Sequence, residues 1–376
     1  MDMVNRFSNY YDTKYLYINE YVNKNFVETI NEINNFITSH NIEIIIFDVD
    51  YFKFINFFFI EKINGKKKII VTGDDFDQHE IHSITAGACD LILTHGPLSV
   101  LKFKEKGYEA HMHNFDMSNL KSVKNQKEID VLFFGHLTSD RIQFLDYISK
   151  EGIHIKNVGH YEHVEGLSKD KLIDLISKSK IVLNLSKSRT TSVLNYASES
   201  IYPFYYQFKG RICMSGMIGT ACVSEYSPDQ EIIFKEDELQ TFFTKEECVK
   251  ILRKLLSDDI LLEKYTDKFT TRARELWDDK KSFIPIYNAI EKSNHRKVEL
   301  IKFPYWYLRI AAKQIMLRNI KLSHLIKTIS QFNIIFSIIR NSNLLIKFLI
   351  IFESVINIFW YGLISTFKLK KLYEKK

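Results

Sequence analysis

The chain has 376 residues, of which 45% are hydrophobic and 14% aromatic. This length suits two domains plus an extension, and the aromatic content excludes a largely disordered protein. The net charge of +6 fits an anionic ligand or an anionic membrane surface. No Lys/Arg run is long enough to follow a phosphate backbone, so we expect no nucleic-acid partner.

The cysteines and the N-terminus both favour a cytoplasmic protein. No cysteine belongs to a CxxC pair, and each lies in an apolar stretch, as reduced core thiols do. These residues are Cys89, Cys213, Cys222 and Cys248. Residues 1–21 are polar and lack the apolar core of a signal peptide.

The first third of the chain predicts three buried parallel strands. The runs NIEIIIFDVD at 41–50, KKIIVTGDD at 67–75 and CDLILTHG at 89–96 are apolar without alternation, which is typical of a sheet covered on both faces. Residues 97–106 are predicted to form a helix, because Pro97 suits a first helical turn and Gly107 ends the pattern.

The same alternation of strands and helices restarts after the polar, basic segment 117–129. Predicted strands lie at 130–135, 154–159, 180–186 and 220–225, and predicted helices at 141–150, 169–177 and 211–218. A further helix is expected from Thr244 to Ser257, with Glu247 completing a capping box. Two such series predict two doubly wound α/β domains, at 1–125 and 126–292, followed by a tail at 293–376.

Polar residues follow two predicted strands of the first domain, where ligands bind in open parallel sheets. Asp74 and Asp75 follow the second strand, and His95 follows the third. The carboxylates could orient hydroxyl groups or act as a base, or they could merely cap the turn. The histidine could act as a base or hydrogen-bond a phosphate or sugar, or it could be structural.

The second domain offers candidate residues for binding a diphosphate. Gly135 ends a strand and allows close approach of a ligand, while Arg141 opens the next helix, where anions bind. The alternative for both is a simple turn between strand and helix.

The segment QFKGRICMSGMIGTACVSE at 207–225 is the strongest candidate site. Lys209 and Arg211 could neutralise a diphosphate, and Glu225 could hold ribose hydroxyls at a strand end. The turn Gly219-Thr220 separates the helix from that strand. A surface helix followed by a core strand is the alternative.

This segment resembles the CgeB-like (spore maturation type) glycosyltransferases, which are related to glycosyltransferase families 1 and 4. The matching residues are Gln207, Lys209, Arg211, Gly219, Ser224 and Glu225, with Phe133-Phe134-Gly135, Arg141 and the run KIVLN at 180–184 in support. The resemblance covers roughly residues 40–290. It implies a GT-B fold, in which two Rossmann-like domains face each other across a cleft. It also implies a UDP-, GDP- or similar nucleotide-sugar donor and no required metal or other cofactor.

We therefore predict a glycosyltransferase of bacterial surface polysaccharide synthesis, such as lipopolysaccharide. It would act on a glycan, a lipid-linked saccharide or a glycoprotein. The donor would lie mainly on the second domain, against Gly135, Arg141, Lys209, Arg211, Gly219, Thr220 and Glu225. The acceptor would approach from the side of Asp74, Asp75 and His95, which are the candidate catalytic residues.

One departure from the family pattern keeps a second hypothesis open. The family usually has a Glu where this chain has Met214, and an aromatic residue where it has Cys213. The change is compatible with a different donor, with a nucleotide held mainly through Glu225, or with a domain that no longer catalyses. The alternative is a non-catalytic GT-B scaffold that binds a sugar nucleotide or glycan. An epimerase or a two-domain sensor is a third class.

The tail predicts contact with a membrane. The run FLIIFESVINIFWYGLIST at 348–366 carries one charge, Glu353, and is just long enough to cross a bilayer core of about 30 Å. Residues 303–340 mix cations with apolar residues, as interfacial helices do, and five lysines lie in the last ten residues. We expect peripheral association with the cytoplasmic face of the inner membrane. The alternative is a helical extension that packs back across both domains.

Overall fold

The computed structural model describes residues 2–17, 21, 24, 26–49, 55–73, 75–114, 117, 120–123, 125–160, 166–187, 206–294, 302–316 and 325–366. Within these ranges the chain forms two separate parallel sheets flanked by helices. The predicted fold class is confirmed: two Rossmann-like α/β domains with a helical C-terminal extension.

The first sheet has the strand order β1-β2-β3-β4 in the described part of the chain. Its strands are β1 (Ile44–Asp48), β2 (Lys67–Thr72), β3 (Leu91–Thr94) and β4 (Ala110–Met112). The helices of this region are α1 (Asp2–Ser8), α2 (Phe26–Ser39), α3 (Phe57–Lys62), α4 (Asp75–Ala86) and α5 (Pro97–Glu105). The first three strands were predicted, but β4 was not, because Ala110-His111-Met112 does not form an apolar run.

The second sheet has the order β6-β5-β7-β8-β9. Its strands are β5 (Ile129–Phe133), β6 (Ile155–Asn157), β7 (Ser179–Asn184), β8 (Ala221–Glu225) and β9 (Gln240–Phe242). Its helices are α6 (Ser139–Lys150), α7 (Lys169–Ser177), α8 (Gly210–Ile218), α9 (Pro228–Ile233), α10 (Lys245–Leu256) and α11 (Asp259–Trp277). The chain leaves β5 toward β6 on one side and leaves β7 toward β8 on the other side. The gap between β5 and β7 is therefore the topological switch point, outside which ligands bind in sheets of this type.

Local sequence signals place several helix ends correctly. Thr244 caps α10, because its Oγ1 accepts a hydrogen bond from Glu247 N at 3.2 Å, and the Glu247 carboxylate accepts one from Thr244 N at 3.3 Å. Pro97 begins α5 at the predicted residue. The four cysteines are buried and free, as expected of core thiols.

The C-terminal helices return to the first domain. They are α12 (Asp279–Lys292), α13 (Tyr305–Met316), α14 (Leu325–Ile338) and α15 (Leu344–Thr366). Phe283 and Ile286 of α12 pack against Val71 and Leu93 of the first sheet, although the sequence placed this segment at the end of the second domain. On the opposite face, Tyr307 of α13 is fully buried and its hydroxyl accepts a hydrogen bond from Phe57 N at 2.9 Å.

The tail is helical, as predicted, and the structure shows what one side of it contacts. Ile350 of α15 is buried in the same core as Tyr307 and Ile335. Among the residues that the structure describes, none of the helices is both long enough and apolar enough to span a bilayer.

Candidate functional site

A cavity of about 200 Å³ lies between the two domains, at the carboxyl ends of both parallel sheets. The first domain contributes Asp75, His95, Gly96, Ser99 and Asn114, and the second contributes Gln207, Phe208, Lys209 and Gly210, with Met117 between them. The cavity therefore unites candidate residues that are more than 100 positions apart in the sequence.

Asp75 lies at the start of α4, and its carboxylate accepts three hydrogen bonds. Oδ2 accepts hydrogen bonds from the Thr72 hydroxyl at 2.8 Å and from the Thr94 hydroxyl. Oδ1 accepts one from His82 Nδ1 at 2.7 Å. Burial by itself raises the pKa of Asp75, but His82 and the two hydroxyls outweigh it and hold the pKa below its usual value. The group is therefore an anion that already accepts three hydrogen bonds and is a weak base, which suits positioning better than proton abstraction. Asp74 lies outside the described residues.

His95 follows β3 at the cavity wall, next to two residues that the sequence analysis did not single out. Its Nδ1 lies 3.4 Å from Asn114 Oδ1, and its ring lies 4.3 Å from the ring of His113. Asn114 is 6% exposed, and its Nδ2 has no hydrogen-bond partner among the residues that the structure describes. A buried amide donor beside a cavity is a candidate for binding a ligand oxygen. Both new residues directly follow β4, a strand that the sequence analysis did not predict.

Arg211 occupies the switch point of the second sheet. Its Nη1 donates to Phe134 O after β5 at 3.0 Å, and its Nη2 donates to Leu185 O after β7 at 2.8 Å. Its Nε donates to Asn184 Oδ1 at 2.9 Å. Burial, and then the charge of Arg141, lower the pKa of Arg211 to about 9, so the guanidinium is still charged at neutral pH. Arg211 thus ties together the ends of the strands between which ligands bind in such sheets.

Arg141 and Gly135 belong to the same arrangement. Arg141 donates from Nη1 to His136 O at 2.7 Å and from Nη2 to Lys187 O at 2.9 Å, so it also joins the β5 and β7 ends. Gly135 has φ of +113°, and a Cβ there would collide with Arg211 Nη1. A glycine is needed at position 135 because the Arg211 side chain packs directly against it. The sequence had predicted that this glycine would let a ligand come close. Diphosphate binding by the two arginines stays a prediction.

Lys209 is the predicted cation that lines the cavity. It is the N-cap residue of α8, and its own side chain does not cap the helix. The first backbone N–H groups of α8 therefore lie at the cavity wall beside a lysine, and a helix N-terminus of this kind attracts anions. Gly210, the first residue of the helix, also lines the cavity, and it has no side chain to fill it.

Glu225 ends β8 at the same edge of the sheet. Its Oε2 accepts a hydrogen bond from Lys187 N at 2.8 Å. Burial raises the pKa of Glu225, and the backbone hydrogen bonds from Lys187 and Ser186 partly offset this effect. The carboxylate thus holds the loop that follows β7, and its contact with ribose hydroxyls stays a prediction.

The structure separates Gly219 and Thr220 from the other candidates. Helix α8 runs antiparallel to β8, so its first residues lie at the carboxyl edge of the sheet and its last residues lie at the opposite edge. Gly219 ends the helix with φ of +96°, and the Thr220 hydroxyl donates to Ile176 O at 2.8 Å, at the end of α7. Met214 is buried in the core of the second domain and is not among the described residues that line the cavity.

Asp229 is the residue that joins the two domains, and no sequence signal identified it. It is fully buried in α9, where Leu98 N of the first domain donates to its Oδ1 at 2.8 Å. Phe208 N of the second domain donates to its Oδ2 at 3.1 Å. Burial raises its pKa, and these two N–H groups oppose that change. Both donors belong to segments that form the cavity wall.

The second domain matches a known protein family. Residues 119–278 match the model of a family described as glycosyl transferase-like. The match spans the linker and almost all of the second domain, including α8 and the switch point. The finer resemblance to CgeB-like enzymes stays a prediction.

Solved structures provide further similarities. The structure of TarM is 11% identical with a TM-score of 0.45, covering 66% of this chain and 55% of that chain. An α-glucosyltransferase in complex with UDP and a 13-mer DNA containing an HMU base is 12% identical with a TM-score of 0.46, covering 72% and 84%. Sucrose-phosphate synthase from Thermosynechococcus elongatus is 6% identical with a TM-score of 0.49, covering 75% and 81%. The chain thus spans about half the length of TarM.

No curated protein sequence matches this chain. Within the described ranges, no cluster of three or more His, Cys, Asp or Glu side chains is arranged to hold a metal ion.

Proposed function

We propose that this protein is a glycosyltransferase that moves a sugar from a nucleotide-sugar donor to an acceptor hydroxyl in the cavity between its domains. The observation that carries the proposal is the composition of the cavity wall. One side presents Lys209 and the N-terminus of α8, and the other presents His95 and the Asn114 amide. An anion site thus faces a candidate base and a hydrogen-bond donor across a space of about 200 Å³.

The donor diphosphate would bind at the N-terminus of α8. Negative charge develops on the diphosphate oxygen as its bond to the anomeric carbon breaks. Preorganised backbone N–H groups and the Lys209 ammonium would stabilise that charge. Arg211, Arg141 and Glu225 would stabilise this wall, because they hold the ends of β5, β7 and β8 together.

The acceptor would bind on the first domain. Asn114 Oδ1 can only accept a hydrogen bond, so its contact with His95 Nδ1 favours the tautomer in which that nitrogen carries the proton. His95 Nε2 is then free to take the proton of the acceptor hydroxyl as the new bond to the anomeric carbon forms. Asp75 would help to orient the acceptor without taking its proton.

The finer predictions concern the two substrates. A UDP- or GDP-hexose donor and a glycan or lipid-linked saccharide acceptor fit a cation-lined wall facing polar side chains. A role in bacterial surface polysaccharide synthesis, and a location at the cytoplasmic face of the inner membrane, stay predictions from the sequence. The second candidate is a non-catalytic scaffold that binds a sugar nucleotide or glycan, and it rests on Met214 standing where the family usually has a Glu.

Calorimetric titration of the full chain with UDP-, GDP-, CMP- and dTDP-sugars, together with an assay of donor hydrolysis, tests the proposal. We expect one nucleotide class to bind, and Lys209→Met to weaken it by at least about tenfold. Lys254→Met, which removes an exposed lysine from α10, is the matched control. Binding without turnover would support the non-catalytic candidate, and absence of binding by every nucleotide would exclude the transferase and leave a glycan-binding scaffold.

A further inference from the structure

Five large apolar side chains on α15 are exposed along one face of the helix. They are Leu344 (83% exposed), Leu345 (66%), Phe348 (63%), Phe352 (52%) and Ile356 (48%). With about 100° between successive residues, they fall within roughly one third of the helix circumference and extend over about 18 Å. Single exposed apolar residues are ordinary, but a continuous row of this length indicates a binding surface.

The opposite side of α15 is fastened to the protein. Ile350 is buried in the core of the first domain, and Ser354 is buried beside it along the helix. Glu353 accepts hydrogen bonds from Arg309 Nε at 2.6 Å and from the Tyr305 hydroxyl at 3.2 Å. The exposed row is therefore presented outward by a helix whose other face is already packed.

The charge of the chain segment that carries this row indicates the kind of partner. Residues 302–356 contain eight Lys and Arg residues and a single carboxylate, Glu353, which is held by α13. Arg340 is exposed in the turn before α15, and Lys347 lies beside Phe348 on the helix. An apolar row bordered by cations matches a bilayer interface that contains anionic lipid, where apolar side chains enter the acyl boundary and cations contact headgroups.

We propose that this face of α15 binds an anionic lipid surface, with the helix lying along the membrane and not through it. A spanning helix would have to leave the contacts of Ile350 and Glu353 with the first domain, whereas a helix lying on the bilayer keeps them. Membrane binding by α15 does not depend on whether the cavity between the domains transfers sugars.

Co-sedimentation of the full chain with lipid vesicles tests the proposal. Vesicles of phosphatidylcholine alone are compared with vesicles that also contain phosphatidylglycerol. We expect binding mainly to the anionic vesicles, and release by high salt. Replacing both Phe348→Ser and Phe352→Ser should lower the partition coefficient by at least about tenfold. Replacing Arg340→Gln or Lys347→Gln should weaken binding to anionic vesicles by up to about fivefold each.

Ile260→Ser is the matched control, because Ile260 is 81% exposed on α11 of the second domain and should not affect binding. Thermal unfolding of the variants checks that they are folded. Equal binding by the double variant and the wild type would overturn the proposal, as would the absence of binding to either vesicle. A dimer that the double variant dissociates, without vesicle binding, would assign the face to a second copy of the chain.

Discussion

The Asp229 carboxylate, in the second domain, accepts a hydrogen bond of 2.8 Å from the backbone N–H of Leu98 in the first domain. Leu98 is the second residue of α5, and the N-cap residue Gly96 has no side chain to cap that helix. Asp229 therefore supplies the missing cap from the other domain, while its second oxygen binds Phe208 N. One buried side chain thus binds segments from both walls of the cavity.

Asp229→Asn should lower the free energy of unfolding by about 1–3 kcal/mol, because an amide offers one oxygen to two buried N–H donors. Urea denaturation measures the change. Asp237→Asn is the control, since Asp237 pairs with Lys268 on the surface, where such pairs contribute at most about 1 kcal/mol. Equal effects of the two substitutions would show that the bond between the domains does not contribute as argued.

Gly135→Ala should destabilise the protein by at least about 2 kcal/mol, through positive-φ strain and through contact with Arg211. Gly152→Ala separates these two effects, because Gly152 also has positive φ but an added methyl group there would meet nothing within 4 Å. The difference between the two variants in chemical denaturation reports the contact together with the difference in strain between φ of +113° and φ of +82°. If Gly152→Ala were the more damaging substitution, the contact with Arg211 could not be the cause.

Arg211→Lys should lower the free energy of unfolding by about 3 kcal/mol, because an ammonium cannot reach the three acceptors Asn184 Oδ1, Phe134 O and Leu185 O together. Lys209→Met should lower the unfolding midpoint less than Arg211→Lys does and should weaken nucleotide binding. Denaturation and calorimetric titration of both variants distinguish a supporting arginine from a binding lysine. A fully stable Arg211→Lys protein would contradict the supporting role.

Stability should fall as the pH decreases from about 7.5 to about 5.5. Burial, and then the charges of His95 and Arg6, hold the pKa of His113 well below its usual value of 6.5. Below pH 6.5 the unfolded chain therefore binds a proton that the folded chain does not, and this difference costs about 1 kcal/mol by pH 5.5. His113→Gln should remove that part of the pH dependence, whereas His154→Gln, at an exposed position, should not. Urea midpoints at both pH values provide the measurement, and an unchanged slope in His113→Gln would refute the assignment.

Much of the fold follows from local patterns in the sequence. Buried parallel strands such as β2 and β7 read as continuous apolar runs whatever their neighbours are, and the cap of α10 depends only on Thr244 and Glu247. The three-residue strands β4 and β9 gave no such pattern, because pairing with a neighbouring strand makes them strands. His113 and Asn114 were missed together with β4.

The sequence by itself determined two α/β series, most of their strands and helix ends, and the neighbourhood of His95 and Lys209 in which to look for a site. Only the tertiary structure decided how those residues are used. In the folded protein Arg211 donates hydrogen bonds to backbone carbonyls at the switch point. Gly219 lies at the opposite edge of the sheet from Lys209. The fold also paired Asp229 with Leu98 across 131 positions. The physical reason is that a strand or a cap arises from interactions between near neighbours, whereas the partner of a buried charge depends on which distant segments the fold brings together.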